Sequence, residues 1–538
     1  MICSLSYTYI ITLLLFLLFN LNVYNYGWFI IMVKDLNNSR PFDVHRWSNH
    51  PEVNSFVNYL WLSGFGSLLD SIELKRGPKP LSSLKKQFKV VLLDLYLCWC
   101  EASDQCLGLS LSNGAFVAKS RYNELHISKR VISIVNTLFD HGFIGLHLGT
   151  EGANRVTRIW AEAPLIEYFK DVTFSHLLVG QSKDQEVIIL NEKLAKDNTK
   201  SGKEAYVTKS IEYLDSDHSS IPLWRDNLNK YNALLDQTYI DIGDLEQPWV
   251  LYERKGKGKG GVVSGKVHIS QHRKFVKRIF YRGCWELGGR FHGGYWQQIK
   301  SNLRSKILIN DQRTVEIDYS GLHVSLAYAL EGLKSPQDPY ALPQTLEGYT
   351  SVEQRSVVKA LVLMAINAKS RSAAFSAFRF DQDAGSQPKT LTNKVLSGLL
   401  DLFLDAHPVL EKYICHDYGV KFMKLDGEIT AYIINRFTAK SIPMLSVHDS
   451  YIVPYDKDQL LIEAMDDATE QIVGQRLGSS YDTLGSGITQ ALVNQDPMDT
   501  YGNYQRWQIL GELNTKVVRC GAYLDRRQEW LESGHLST

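Results

Sequence analysis

The sequence predicts an α+β protein that is divided into several domains. Runs with helical spacing and short β-type runs bounded by turn residues both occur along the chain. Its 538 residues exceed one compact core and correspond to about three or four units. The hydrophobic fraction of 44% and the charged fraction of 22% exclude wholesale disorder. The seven cysteines are scattered and odd in number, which excludes a disulfide scaffold.

Residues 1–33 form a hydrophobic leader without a charged side chain. The leader approaches the length of about 20 residues that spans a bilayer. It is therefore either a membrane anchor or extra sequence from a start upstream of Met32. Asparagines and tyrosines interrupt its second half and favour the upstream start. We accordingly expect no membrane association and a cytoplasmic location.

Residues 34–170 are predicted to be mostly helical and to include a winged-helix-like unit. Ser128 can cap a helix that Gly142 ends, and β-type runs follow at residues 143–148 and 155–161. A helix followed by a two-stranded wing can bind duplex nucleic acid, although winged folds also serve protein contacts. The candidate nucleic-acid contacts are Lys129, Arg130, Arg155 and Arg158.

Residues 171–275 are polar and contain the start of a strongly basic segment. Residues 254–282 hold ten lysines and arginines and no acid, in a chain whose net charge is +1. Such segregation indicates a polyanionic partner, whereas the Lys-Gly part alone could equally be a solvated linker. Aromatic residues interleaved with the later cations favour nucleic acid. The candidate contacts are Lys255, Lys257, Lys259, Arg273 and Lys274.

Two aspartates are predicted to stand at the ends of separate strands. A β-rich run from Thr314 ends in Asp318, and a helix is expected after the Ser-Gly turn that follows. Two short apolar strands flank Asp449, which is therefore expected at the apex of a hairpin. Each aspartate alone could be a plain turn residue. Together, with the backbone carbonyl of Tyr319, they could hold two Mg²⁺ ions, with Mn²⁺ as a substitute.

A helix predicted over residues 353–369 carries a polar stripe. Its members recur every four residues and so share one face: Arg355, Lys359, Leu363 and Asn367. The two cations suit a triphosphate and the lower turns suit a nucleoside, whereas a helix of this kind standing alone is more often a solvated basic edge.

In this order, within 131 residues, these segments resemble the family A DNA polymerases and the related phage-type RNA polymerases. Asp318-Tyr-Ser resembles motif A, the helix with Arg355 and Lys359 resembles motif B, and Val447-His-Asp-Ser450 resembles motif C. Residues 288–297, with Arg290 and Gln297, are similar to the Gly-Arg segment that contacts template and primer. The resemblance covers roughly residues 280–460.

The resemblance implies a right-hand polymerase palm, an antiparallel sheet with helices, and helical fingers within residues 276–495. It implies a thumb-like or connecting role for residues 171–275, whereas residues 496–538 are expected to be a helical tail. Asp318 and Asp449 would be catalytic metal ligands, Arg355 and Lys359 would bind the incoming nucleoside triphosphate, and Arg290 would touch a DNA or RNA template-primer.

The chain departs from this family at both sugar-sensing positions. His323 replaces the expected glutamate and Asn367 the expected tyrosine, so the choice between dNTP and NTP stays open. A winged-helix-like unit is expected upstream of the palm, where a proofreading exonuclease would otherwise lie, and we expect no proofreading. The prediction is a template-directed nucleotidyltransferase, with DNA synthesis preferred over RNA synthesis or priming. The alternative is a non-enzymatic DNA-binding replication initiator or regulator with a degenerate palm.

Overall fold

The computed structural model describes residues 34–70, 81–149, 156–195, 206–255, 262–481, 511, 515 and 517–534. The hydrophobic leader predicted for residues 1–33 lies outside these ranges. Among the helices in the described ranges, none combines the length and the apolar character needed to cross a bilayer. Helices are combined with mixed and antiparallel sheets, which confirms the α+β class.

The α-helices and β-strands are numbered in chain order over the described residues. The helices are α1 (Pro51–Leu60), α2 (Gly66–Leu69), α3 (Leu84–Glu101), α4 (Arg130–Asp140), α5 (Ala163–Lys170), α6 (Ile221–Asp236), α7 (Ser301–Arg304), α8 (Leu322–Leu330), α9 (Ser351–Asn367), α10 (Arg371–Asp381), α11 (Asn393–Ala406), α12 (Gly419–Ala439), α13 (Asp458–Val473) and α14 (Gly521–Glu532). The strands are β1 (Ser39–Pro41), β2 (Arg46–Trp47), β3 (Cys106–Leu109), β4 (Ile144–His147), β5 (Thr157–Ala161), β6 (Gly180–Gln181), β7 (Ile188–Ala195), β8 (Tyr206–Ser210), β9 (Ile240–Ile242), β10 (Trp249–Lys255), β11 (Val262–His268), β12 (Val276–Tyr281), β13 (Cys284–Gly293), β14 (Ile307–Ile309), β15 (Gln312–Tyr319), β16 (Leu445–Val447), β17 (Ser450–Pro454) and β18 (Ser479–Tyr481).

The N-terminal part packs α1, α3 and α4 with a mixed four-stranded sheet of order β1-β3-β5-β4. Helix α4 has the predicted apolar face, because Val131, Ile134, Val135 and Leu138 are all buried. Strands β4 and β5, predicted as the wing, pair in antiparallel fashion. Strand β5 also pairs with β3, so this hairpin is part of the larger sheet.

Two further sheets carry the basic segment. Strands β10 and β11 form an antiparallel ribbon, and β12 lies in a four-stranded sheet of order β13-β12-β7-β8. Residues 256–261 between the ribbon strands lie outside the described ranges and include Lys257 and Lys259. Lys255 is the last residue of β10, and its side chain is likewise outside the description.

The central sheet is antiparallel, with the order β16-β17-β15-β14-β9 and β18 paired to β15. Helix α13 packs on β15 and β17, where Tyr319 donates a hydrogen bond to the carbonyl of Met465 at 2.7 Å, and α8 packs against α13. Helices α9 to α11 follow α8 in the chain and join the same hydrophobic core. Helix α9 begins with a capping box formed by Thr350 and Glu353.

The C-terminal helix α14 lies against the far edge of the central sheet. Its buried residues Tyr523 and Trp530 pack on Tyr239 and Leu308, which belong to the β9 and β14 region. Arg526 of α14 also forms an ion pair with the buried Asp241 at 2.8 Å. Residues 496–538 were expected to form a helical tail. In their described part, α14 is helical and packs against the rest of the protein.

Candidate active site around Asp318 and Asp449

Strand pairing brings the two predicted aspartates to the same end of the central sheet. In the register of β15 and β17, Asp318 is opposite Ser450, the residue directly after Asp449. The backbone amide of Tyr319 also donates to the carbonyl of Asp449 at 3.3 Å. His448 and Asp449 form the two-residue turn between β16 and β17, where His448 has a positive φ of 56°. Both aspartates are half-buried.

The donor set at this end of the sheet fits a hard divalent cation. Carboxylate and carbonyl oxygens are the ligands that Mg²⁺ prefers, and one or two carboxylates suffice when substrate phosphates complete the shell. Asp318 and Asp449 supply the carboxylates, with the carbonyl of Tyr319 adjacent in the chain. Within the described ranges, no group of three or more His, Cys, Asp or Glu residues could hold a metal ion by itself.

A buried ion pair supports the strands beneath the two aspartates. The Glu316 carboxylate is 1% exposed and accepts hydrogen bonds from Nε and Nη2 of Arg304 at 2.8–3.1 Å. Ser450 Oγ donates to the same carboxylate at 2.6 Å. Glu316 is two residues before Asp318, and Ser450 directly follows Asp449. The ion pair therefore fixes both strands next to their functional residues.

Sequence reasoning missed a third carboxylate, Asp426 on α12. Its side chain is 0% exposed and forms an ion pair with Arg290 on β13. Burial raises the pKa of Asp426 to about 6, with Arg290 opposing the shift and Asp449 adding to it. A signal was present in the sequence, because Phe422, Asp426, Ile429 and Ile433 recur at helical spacing and place Asp426 on the apolar face.

Arg290 was expected to touch nucleic acid but is held by side chains of the site. Besides Asp426, it contacts His323 of α8, whose Nε2 accepts a hydrogen bond from Nη2 of Arg290 at 3.1 Å. Burial, together with Arg290, lowers the pKa of His323 to about 3, so its imidazole is neutral. Arg290 and His323 are thus brought into one cluster with Asp426.

Gln297, which was expected to contact nucleic acid, is half-buried and hydrogen-bonded within the protein. Its Nε2 donates to the carbonyls of Phe291 and Ser446 at 3.2 and 2.9 Å, and its Oε1 accepts from the amide of Gly293 at 3.1 Å. The side-chain amide of Gln297 therefore links the end of β13 to β16 through hydrogen bonds.

Tyr340 lies between the polar stripe of α9 and the turn that follows Asp318. Arg355 is paired with Asp338 at 2.6 Å, and its guanidinium lies 5.9 Å from the Tyr340 ring centroid. The Tyr340 hydroxyl lies against Gly321, in the turn after Asp318. Burial raises the pKa of Tyr340 to about 12; Arg355 opposes the shift, and Asp338 and Asp449 add to it. The Arg355 end of the stripe therefore lies near the aspartates.

The rest of the stripe differs in exposure. Lys359 and Asn367 are exposed, whereas Leu363 is half-buried. The Asn367 side-chain amide donates to the carbonyl of Leu363 at 2.8 Å, one turn back along α9. Lys359 is thus a cation on the same helix face whose ammonium is open to solvent.

Much of the basic segment is internal, although Arg273 and Lys274 were expected to contact nucleic acid. Lys274 is 3% exposed, and its ammonium donates to the carbonyls of Asp236 and Thr238 at 3.1 and 2.7 Å. Burial lowers its pKa to about 7 against the opposing charge of Asp236. Arg273 is half-buried, 3.7 Å from Glu101. These two side chains therefore link the segment between β11 and β12 to α3 and α6 inside the protein.

The candidate contacts of the predicted winged-helix-like unit are only partly accessible. Lys129 is exposed, but Arg130 is 7% exposed and is corrected as a surface contact. Arg158 is half-buried and donates to the carbonyls of Leu36 and Val156 at 3.2 and 2.7 Å. Arg155 lies outside the described ranges.

No protein-family model matches the sequence, and neither does any curated protein.

Proposed function

We propose that the chain is a template-directed nucleotidyltransferase, with DNA synthesis as its preferred reaction. One observation carries the proposal. The register of β15 and β17, together with the bond from the Tyr319 amide to the Asp449 carbonyl, joins Asp318 and Asp449 at one sheet end. Two carboxylates on rigid strand ends suit phosphoryl transfer.

Each residue of the site has a separate task in this reaction. Asp318, Asp449 and the Tyr319 carbonyl would hold two Mg²⁺ ions, or Mn²⁺ in their place. When bound, the ions activate the attacking hydroxyl and neutralise the charge that develops on the leaving pyrophosphate. Arg355 and Lys359 attract the triphosphate along the face of α9. The lower turns of the stripe, at Leu363 and Asn367, adjoin the nucleoside.

The proposal also assigns the parts of the fold. The central antiparallel sheet with α8, α12 and α13 would be the palm, and α9 to α11 would be the fingers. The ribbon β10–β11, whose strands flank the Lys-Gly segment, would belong to a thumb-like or connecting region. The N-terminal part would be a winged-helix-like unit that binds duplex DNA, with Lys129 as its accessible cation.

Primer extension tests this function directly. Purified full-length protein is given a primed DNA or RNA template and Mg²⁺, with dNTPs and NTPs in separate reactions. Asp318→Asn and Asp449→Asn should each abolish most incorporation, because each removes a charged metal ligand. Asp405→Asn is the matched control, since Asp405 is exposed on α11 and should be silent. Equal extension by all four proteins would refute the site assignment.

Nucleotide binding is tested separately from chemistry. Lys359→Ala should raise the KM for the nucleotide by about 10- to 100-fold and leave kcat nearly unchanged, because it removes a charge-assisted contact. Lys394→Ala, another exposed lysine of the helical part, is the control. Salt-sensitive duplex binding without any incorporation by the wild type would instead favour the non-enzymatic initiator.

A further inference from the structure

The buried carboxylate of Asp426 is placed by a close approach of two backbones. Helix α12 meets β13 so closely that a Cβ on Gly427 would lie 2.2 Å from the carbonyl oxygen of Gly289. Asp426 and Arg290 are the residues beside these two glycines, and their side chains form an ion pair. One helical turn further, Thr430 is hydrogen-bonded to Tyr451 of β17 at 2.9 Å. Tyr451 is two residues beyond Asp449, so Asp426 is held beside the site.

Arg290 is restrained at two of its nitrogen atoms. Its Nε faces Asp426, and its Nη2 donates to Nε2 of His323 at 3.1 Å. A guanidinium has donors and no acceptor, so Nε2 of His323 must be the acceptor and the ring proton resides on Nδ1. The Arg290 side chain is 15% exposed. One charged and one neutral partner therefore hold this guanidinium.

The restraint matters because a free guanidinium is a strong ligand for carboxylates. Arginine forms bidentate pairs with carboxylates, and such a pair at Asp318 or Asp449 would compete with a divalent cation for the same oxygen atoms. The helix that carries His323 starts in the turn directly after Asp318. Burial, together with the charge of Arg290, lowers the pKa of His448, the neighbour of Asp449, so the guanidinium lies within electrostatic range of the turn that carries Asp449.

We propose that Asp426 is a positioning residue that retains Arg290 and so keeps the Asp318–Asp449 pair available for divalent cations. This inference rests on the proposed function, in which those two aspartates are the cation ligands. The negative charge of Asp426 balances Arg290 inside the protein, and His323 fixes the direction of its outer nitrogen. Loss of the charge at residue 426 frees the guanidinium to pair with the catalytic carboxylates.

Direct Mn²⁺ binding tests the proposal without relying on activity. The free Mn²⁺ signal in electron paramagnetic resonance is titrated with full-length protein in the absence of nucleotide. Asp426→Asn should weaken Mn²⁺ binding by about tenfold or more, the effect of one uncompensated neighbouring charge. Adding Arg290→Gln to that variant should return the affinity to near the wild-type value. Glu428→Gln is the control, because Glu428 is on the same helix but pairs with Lys424 and Arg278.

The outcomes separate this inference from the proposed function. Wild-type Mn²⁺ affinity in Asp426→Asn, or failure of Arg290→Gln to restore the affinity, would overturn the positioning role. If Asp318→Asn and Asp449→Asn themselves bind Mn²⁺ like the wild type, the proposed function fails instead. His323→Leu gives an independent test should Asp426→Asn not fold. It removes the second restraint and should weaken Mn²⁺ binding by a smaller factor, and unchanged affinity contradicts the proposal.

Discussion

Arg304→Met is predicted to loosen the strands that carry both aspartates. The arginine supplies three hydrogen bonds of 2.8–3.1 Å and the balancing charge to Glu316, whose side chain is 1% exposed. Methionine keeps most of the volume but removes both. Taking one partner from a buried ion pair costs about 3–5 kcal/mol, because a carboxylate stays in the interior without its counter-charge. Opening of β15 and β17 should become easier by that amount.

Hydrogen exchange of the amides in β15 and β17, measured by mass spectrometry on the full-length protein, detects this opening. The predicted cost corresponds to an acceleration of about 10²- to 10⁴-fold. Lys306→Met is the matched control, since Lys306 pairs with Asp244 at 2.6 Å but its side chain is 50% exposed. That pair is worth about 0–1 kcal/mol. Exchange in Arg304→Met no faster than in this control would refute the reasoning.

Three further predictions concern packing and charge elsewhere in the fold. Gly427→Ala should lower stability by about 1–3 kcal/mol in thermal unfolding, because its Cβ would lie 2.2 Å from the Gly289 carbonyl oxygen. Trp530→Ala should cost about 3–5 kcal/mol in urea unfolding, because the indole is 1% exposed. Burial acts to raise the pKa of Asp43, but Arg46 and His45 outweigh it and lower the pKa to about 2. This contribution of about 2 kcal/mol is present above pH 4 and lost as pH falls through 2, so the stability gap between wild type and Asp43→Asn should close on acidification.

Each of these predictions has a control on a similar element. Gly398→Ala on α11 should be neutral or stabilising, because no atom lies within 4 Å of its Cβ position. Leu531→Ala, on the same helix as Trp530 but 40% exposed, should cost much less. Asp140→Asn, which changes an exposed carboxylate, is the control for Asp43→Asn. Equal effects in variant and control would contradict the packing or charge assigned to each site.

The elements that local sequence rules describe are those that could be predicted. Helix α4 was predicted because its apolar residues recur on one face, and the β16–β17 hairpin because two short apolar runs flank a turn. The strand, turn and helix around Asp318 follow the same logic, although β15 continues one residue further, to Tyr319. Period and turn chemistry act over a few residues and are visible without the fold.

The number of charges in the basic segment does not predict which of its cations are exposed. Strand β12 alternates, so that Val276, Arg278 and Phe280 face inward and are buried. Arg278 lies 4.8–5.2 Å from the ring centroids of Trp224, Phe280 and Phe291, and it donates to the Glu428 carboxylate at 3.0 Å. Phe280 lies on β12 itself and Phe291 on the next strand, β13, whereas Trp224 on α6 and Glu428 on α12 are distant in sequence. The net charge of the segment indicated a basic surface. Because every second residue of β12 is buried, however, some of its cations lie inside the protein.

Helical spacing could place Asp426 on the apolar face of α12, but its pairing with Arg290 and His323 could not be predicted from local rules. A charged residue on a helix is normally solvated, and Asp426 is buried where α12 approaches β13 at two glycines. That approach is a tertiary contact between segments more than 130 residues apart. Asp318 and Asp449 are about as far apart in sequence, yet each lies at a recognisable turn. The sequence alone therefore indicated both of them as candidate metal ligands.

The register of β15 and β17 links the stability of the sheet to the chemistry proposed for its end. Glu316 and Asp318 are two residues apart and face the same side of β15. A slip of one residue would break the bond from Ser450 to Glu316 and turn Asp318 away from Asp449. The buried ion pair thus selects the register that joins the aspartates. A variant of Arg304 should therefore lose incorporation together with exchange protection in β15, whereas Asp318→Asn should lose incorporation while that protection persists.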